Sequence, residues 1–292
     1  MLTNPLPCLI TTEFFGKYRL FLSKLNLDYQ LPFKKYYVYL FLAHMIRENA
    51  AVSSMRSALS AISWLHRINN LDDPTTDLFM KKVLLGVNKY RKPKPELSPL
   101  GRDILHSICE LSYKIIPSQY DQFLIRAILL LMYHACLRVG EAVKSASTEH
   151  SLKRMNVNIS NEPNPVATIL LHSFKHAKSP KRFTLMPSDN PLYCPVRALI
   201  QYLSVRIEGN DTLFNDSIGR TATRKFVADK LKLLVLHAGL DANRYNTHSI
   251  RIGRTTDLAK AGVPEAIIKQ TGRWDSDAWK RYIRFPAFTL PQ

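Results

Sequence analysis

Apolar residues recur every three or four positions through four stretches of the first ninety residues: "TTEFFGKYRLFLSKL", "FKKYYVYLFLAHMIREN", "SSMRSALSAISWLHRI" and "TTDLFMKKVLLGVNKY". That spacing predicts four amphipathic helices. In the third, Met55, Leu59, Ile62 and Leu65 form the apolar stripe, and Ser53 or Ser54 stands where an N-cap is expected. The pattern breaks at "KYRKPKPELSPLGRD", which carries three prolines and a run of positive charge and reads as an extended linker. Helical periodicity returns over 99–115 and 120–136. The second of these contains "FLIRAILLLMYHACL", apolar on every side, interrupted by Arg126 and too short to span a bilayer comfortably, so a buried core helix is expected. "PVATILLHSFKHA" and "KRFTLMP" read as the two strands of a hairpin with lysines at its tip. Three more helical stretches follow, "CPVRALIQYLSVRI", "TRKFVADKLKLLVLHAG" and "HSIRIGRTTDLAKAG", the last two with glycine at their ends. The expected fold is mainly α with a small antiparallel β-sheet: a helical domain over 1–90, a basic linker over 91–98 and a second domain over 99–292. The sequence contains no internal repeat and no low-complexity segment.

Charge narrows the class of partner. The chain has 292 residues, 41 Lys plus Arg against 23 Asp plus Glu, and a formal net charge of +18. A surplus of that size points to a polyanion, with nucleic acid first and an anionic membrane surface second. From 81 to 95, Lys81, Lys82, Lys89, Arg91, Lys92 and Lys94 meet no acidic residue and are expected to contact DNA phosphates; a merely solvated linker is the plainer alternative. Four cysteines, Cys8, Cys109, Cys136 and Cys194, lie far apart without a CxxC pair, which supports neither a disulfide framework nor a zinc site. The N-terminus lacks the basic start and apolar core of a secretory signal. A soluble intracellular protein with no membrane partner is expected.

Two motifs carry candidate chemistry. In "ACLRVGEAVKS", Arg138 follows the apolar helix and Glu141 stands three residues on, so the carboxylate is placed to aim a guanidinium that matches a phosphate with paired donors. A local Arg–Glu pair of little energetic weight is the plain alternative. In "THSIRIGR", His248 and Arg251 share a helix face, and Arg254 follows. Histidine can donate to a phosphate oxygen or move a proton near neutral pH. Taken alone, "LAKAGVPEAIIKQTGRW" looks like a helix–turn–helix and suggests a DNA-binding regulator, but Arg138 and Tyr282 have no role in that reading.

The motifs "LRVGE", "HSIRIGRTTDLAKAG", "GRW" and "YIR", in this order, resemble the tyrosine recombinase, or phage-integrase, family over about residues 97 to 285. The run from "SIRIGR" to "KRYIR" is most similar to eukaryotic mobile-element recombinases of the crypton-like and DIRS-like kinds. The resemblance implies a helical core-binding domain followed by an α/β catalytic domain. It implies that Tyr282 attacks a DNA phosphodiester to form a 3′-phosphotyrosyl bond. A tyrosine hydroxyl, with a pKa of about 10, is a weak nucleophile at neutral pH and needs cationic neighbours. By the resemblance, Arg138 and Arg251 clamp the phosphate, His248 donates to it or takes a proton, and Trp274 donates one hydrogen bond from its indole N–H. A hairpin lysine protonates the leaving 5′-oxygen: Lys175, with Lys178 as the alternative. Glu141 supports Arg138, and Lys178, Lys181, Arg254 and Arg273 are expected on DNA. No metal or other cofactor is implied. The implied partner is double-stranded DNA, bound by a homotetramer in the synaptic complex and by a monomer or dimer when free. A nuclear location follows if the source is eukaryotic, and otherwise the cytoplasm or nucleoid.

Trp279 and Ile283, four apart, are expected to pack one face of a helix carrying Tyr282. His172 and His176 are expected to be exposed polar groups. Trp274 and Tyr282 stand eight apart, one fewer than in many prokaryotic relatives, and only ten residues follow Tyr282. That short end leaves the mode of assembly open and raises the expectation of a trimmed chain. Two other functions fit the motifs: a type IB topoisomerase-like enzyme and a domesticated, inactive DNA-binding protein.

Overall fold

The computed structural model describes residues 9–91, 95–145, 151–160, 162–172, 174 and 179–285, with side chains from residue 14 onward. The chain divides into two compact units, Met1–Lys94 and Pro95–Gln292.

The first unit contains α1 (Leu9–Lys24), α2 (Lys35–Arg47), α3 (Val52–Ile68) and α4 (Leu78–Tyr90). Their apolar stripes meet in one core built on Tyr18, Leu22, Val38, Phe41, Leu42, Met55, Ile62 and Met80. The stripe on α3 packs as expected, but neither serine caps it: the helix begins at Val52 and its N-cap is Ala51. His66, on the same helix, is buried, and it bonds the Phe33 N–H through Nε2 and the Ile62 carbonyl through Nδ1, both at 2.9 Å. Asp77 caps α4 by accepting from the Phe79 N–H at 2.8 Å.

The second unit contains α5 (Arg102–Ile115), α6 (Gln119–His134), α7 (Val139–Ala142), β1 (Val157–Ile159), β2 (Ala167–Leu171), β3 (Lys181–Leu185), α8 (Pro195–Val205), α9 (Arg224–His237), α10 (Thr247–Lys260) and α11 (Glu265–Gly272). The all-apolar stretch forms α6, buried without interruption from Leu124 to Tyr133. Arg126 is tolerated there because its guanidinium bonds Gln201 and the Leu192 carbonyl, at 3.1 and 2.9 Å, and stacks on Tyr113. The sheet is antiparallel in the order β1-β2-β3, with Ile169 opposite both Val157 and Phe183. Ala167, Ile169 and Leu171 alternate inward on β2, as the period of a strand requires. β1 has three residues, too few for the sequence pattern to announce it. Mainly helical with one small antiparallel sheet is the architecture observed.

The segment read as linker to residue 98 ends earlier. The Ser98 N–H donates to the Arg244 carbonyl at 2.8 Å and the Leu100 N–H to the Ser249 carbonyl at 2.9 Å, so these residues belong to the second unit. The described cysteines, Cys109, Cys136 and Cys194, are free and buried. Among the described residues no helix is long and apolar enough to cross a membrane.

Candidate active site

The end of α6 fixes the first part of the site. The helix closes by a turn in which the Cys136 N–H bonds the Tyr133 carbonyl and the Leu137 N–H the Met132 carbonyl, with Cys136 at φ 48°. The carbonyls left over at such an end attract positive charge. Two arginines supply it. Arg251 donates to the Cys136 carbonyl at 2.7 Å, and Arg273 donates to the carbonyls of Ala135 and Cys136, both at 3.1 Å.

Arg138, the N-cap residue of α7, stands immediately beyond this turn. Glu141, one turn on, accepts from the Arg138 backbone N–H at 2.8 Å and from its guanidinium at 2.9 Å. The same carboxylate meets Arg273 at 2.6 Å. Glu141 and Arg273 are buried, while the Arg138 side chain remains 30% exposed. Of these three, only Arg138 has a free aspect toward solvent.

α10 provides the second part. Asn246 caps it by accepting from the His248 N–H at 2.8 Å. Three residues after the solvent-exposed His248, Arg251 is fully buried. Gly253 allows the helix to lie against the chain at Leu100: a Cβ there would collide with the Leu100 carbonyl. Partial desolvation, then the positive charges of Arg251, Arg138 and Arg224, hold the His248 imidazole below the usual histidine pKa. Arg224, the first residue of α9, was not foreseen as part of this site.

The third part comes from α11 and the segment after it. Arg273 ends α11 in the left-handed conformation, φ 57° and ψ 46°, and the Trp274 N–H closes the turn on the Lys269 carbonyl at 3.0 Å. Such backbone costs a non-glycine residue about 1 kcal/mol, and the buried guanidinium bonds of Arg273 offset it. Gly272 admits the Trp274 ring, because a Cβ would run into it. A 3₁₀ turn over Asp277–Tyr282 then carries the tyrosine.

These parts converge. The Tyr282 ring centre lies 5.1 Å from that of His248 and 5.0 Å from that of Trp274. The Arg251 guanidinium lies beneath both aromatic residues, 4.4 Å from the Trp274 ring centre and 5.5 Å from that of Tyr282. Tyrosine, histidine, tryptophan and arginine from three separate segments thus form one cluster, with Arg138 close enough to act on His248 electrostatically.

Several expectations require correction. Tyr282 is not on an α-helix: the 3₁₀ turn ends at it, Ile283 is extended, and Trp279 is buried without sharing a helical face with Ile283. Arg273, expected on DNA, has its guanidinium sealed between Glu141, two carbonyls and the rings of Phe174 and Phe183. Arg254 stacks over Tyr133 at 5.3 Å. Arg91 is turned inward to the Ala50 carbonyl. Lys81, Lys82 and Lys89 are exposed on α4, and Lys181 is exposed at the start of β3. Lys92, Lys94, Lys175, His176 and Lys178 lie outside the described residues. Among the described residues, no group of three or more His, Cys, Asp or Glu is placed to hold a metal ion.

The family model described as "Phage integrase family" matches residues 104–284, more than half of the chain and all three parts of this cluster. The chain belongs to the phage integrase family. No curated protein sequence matches it. Solved structures of similar fold include the XerH site-specific recombinase bound to a palindromic difH substrate, with TM-score 0.62 and 18% identity over 97% of this chain and 75% of that one. The Tn1549 transposon integrase, in complex with circular intermediate DNA, has TM-score 0.57 and 17% identity over 95% and 91%. A lambda integrase dimer bound to a COC′ core site has TM-score 0.55 and 12% identity over 96% and 79%. At these identities the likeness is one of fold, shared along nearly the whole chain.

Proposed function

We propose that this member of the phage integrase family is a site-specific DNA recombinase that breaks and rejoins strands through a 3′-phosphotyrosine on Tyr282. The observation that carries the reading is the packing of the Tyr282 ring against His248 and Trp274, above the buried Arg251.

In the proposed step the Tyr282 oxygen bonds to phosphorus as the bond from phosphorus to the 5′-oxygen breaks. The tyrosine proton leaves to an acceptor, and the 5′-oxygen gains one. His248, held neutral near pH 7 by its surroundings, is suited to accept the first proton. Lys175 or Lys178 would supply the second, by family resemblance. Arg138, with its exposed guanidinium aimed by Glu141, would bind a non-bridging oxygen. Arg251 contributes a fixed charge from below the rings, where low polarity strengthens its field. Direct contact between Arg251 and a phosphate requires the Tyr282 or Trp274 ring to move. We extend the proposal to a mobile-element enzyme that acts on two DNA duplexes as a homotetramer, in the nucleus if the source is eukaryotic.

One observation favours a second reading. Both terminal nitrogens of Arg251 are engaged by the Cys136 and Gly272 carbonyls, which suits a chain that binds DNA without cutting it. The two readings separate on a nicked suicide duplex taken from the termini of the encoding element, in EDTA. A covalent adduct with wild type that vanishes in Tyr282→Phe and Arg251→Ala is the expected result. Binding without an adduct on any terminus would establish the second reading.

A further inference from the structure

The neighbours Thr255 and Thr256 on α10 use their hydroxyls differently. Thr255 donates to the Arg251 carbonyl one turn back, at 2.8 Å, the usual local bond of a helical threonine. Thr256 makes no such bond. Its hydroxyl donates to the Tyr282 carbonyl and accepts from the Arg284 N–H, both at 3.1 Å. These two groups lie at the point where the 3₁₀ turn has ended, the last backbone bond of that turn running from Ile283 N–H to Lys280 at 3.2 Å. They therefore need a partner from elsewhere, and the buried Thr256 hydroxyl serves both.

We propose that Thr256 is a positioning residue that clamps the Tyr282 backbone to the helix carrying His248 and Arg251; the inference rests on the function proposed above. One rigid element then holds the proton acceptor, the buried charge and the clamp, so the distance from nucleophile to its activators is set within α10. The clamp works between two other attachments of the same segment. Before it, Trp279 is buried at 3% exposure. After it, Arg284 Nε stands 2.8 Å from Glu96, whose side chain is 71% exposed, and such a pair contributes little. The buried hydroxyl is the main polar tether on the C-terminal side of Tyr282. A threonine that only filled space would not need its oxygen; a clamp needs the oxygen and tolerates loss of the methyl.

The test uses the full chain as wild type, Thr256→Val and Thr256→Ser. Duplex affinity, the first-order rate of adduct formation at saturating nicked duplex, and amide hydrogen exchange over residues 282–285 are measured together. Thr256→Val is expected to keep duplex affinity, to slow adduct formation by about tenfold or more because the nucleophile is misplaced, and to speed exchange of the Arg284 amide by about fivefold or more because its partner is gone. Thr256→Ser is expected to restore both. Wild-type rate and exchange in the valine variant would overturn the proposal, as would a joint loss of rate and affinity that serine fails to rescue. If wild type forms no adduct, the recombinase reading falls and the exchange arm still decides the clamp: acceleration by valine reversed by serine supports it, and unchanged exchange refutes it.

Discussion

The Arg251 guanidinium stacks against the Trp274 indole, 4.4 Å from the ring centre. Trp274 therefore does more than offer an N–H: it is half of the roof that keeps water from a buried charge. A flat ring retains the stacking and a methyl does not, the contact being worth about 1–2 kcal/mol in a desolvated place. Trp274→Phe is expected to keep most adduct formation, whereas Trp274→Ala is expected to slow it on the order of a hundredfold by also loosening Tyr282. Single-turnover rates on the nicked duplex check this, and equal rates for the two variants would remove the roof from the account.

Glu141 balances two guanidiniums from a buried position. Glu141→Gln leaves Arg273 sealed inside without its counter-charge, and breaking a buried pair from one side costs about 3–5 kcal/mol. Denaturant unfolding should show a midpoint lowered accordingly. Adding Arg273→Met to remove the stranded charge should recover much of the loss. A double variant no more stable than Glu141→Gln would mean that the bonds to Ala135 and Cys136 carry the stability instead.

His134, at the last turn of α6, is pushed down to about 4 by burial first, and then by Arg254, Arg102 and His106. The unfolded imidazole binds its proton below about pH 6.5, while the folded one resists until about 4, so unfolding takes up a proton in that window. Stability is therefore fully present above pH 6.5 and falls with acidity, by on the order of 1 kcal/mol per pH unit. The wild-type unfolding midpoint should drop faster between pH 7 and pH 5 than that of His134→Gln. Parallel slopes would place the acid sensitivity elsewhere.

Tyr282 is docked on the His248 and Arg251 of its own chain. Under the proposed chemistry, cleavage in cis is the expected outcome. Mixing Tyr282→Phe with Arg251→Ala chains should then restore no adduct, because no chain in the mixture holds a whole site. Adduct in the mixture, read by the mass of the labelled chain, would mean that the tyrosine crosses between protomers.

Long periodic elements were legible because their burial pattern repeats: α3 and α6 match the stretches that the apolar spacing marked to within about two residues at each end. His248, Arg251, Trp274 and Tyr282 were legible as a set through the family's ordered motifs, and the fold brings them within ring contact. What failed is short or non-local. β1 has too few residues to show a period, and a six-residue 3₁₀ turn around Tyr282 looks like helix when only i and i+4 are compared. Arg273 misleads because arginine is normally read as surface, and its partner Glu141 lies 132 positions away. The Thr256 hydroxyl gives no sign in sequence, since a polar residue on a helix reads as solvent-facing until its partner is seen 26 and 28 positions on.

The carbonyls of Ala135 and Cys136 that receive Arg251 and Arg273 are held together in one place by the end of the buried helix α6. The proposed cutting apparatus is thus tied to the completion of folding. A nascent or partly melted chain holds the same tyrosine but lacks the seat that fixes its activating charge. For a protein proposed to sever DNA, this is a built-in safety interlock: loosening the core around α6 also unseats the charge that would arm the tyrosine.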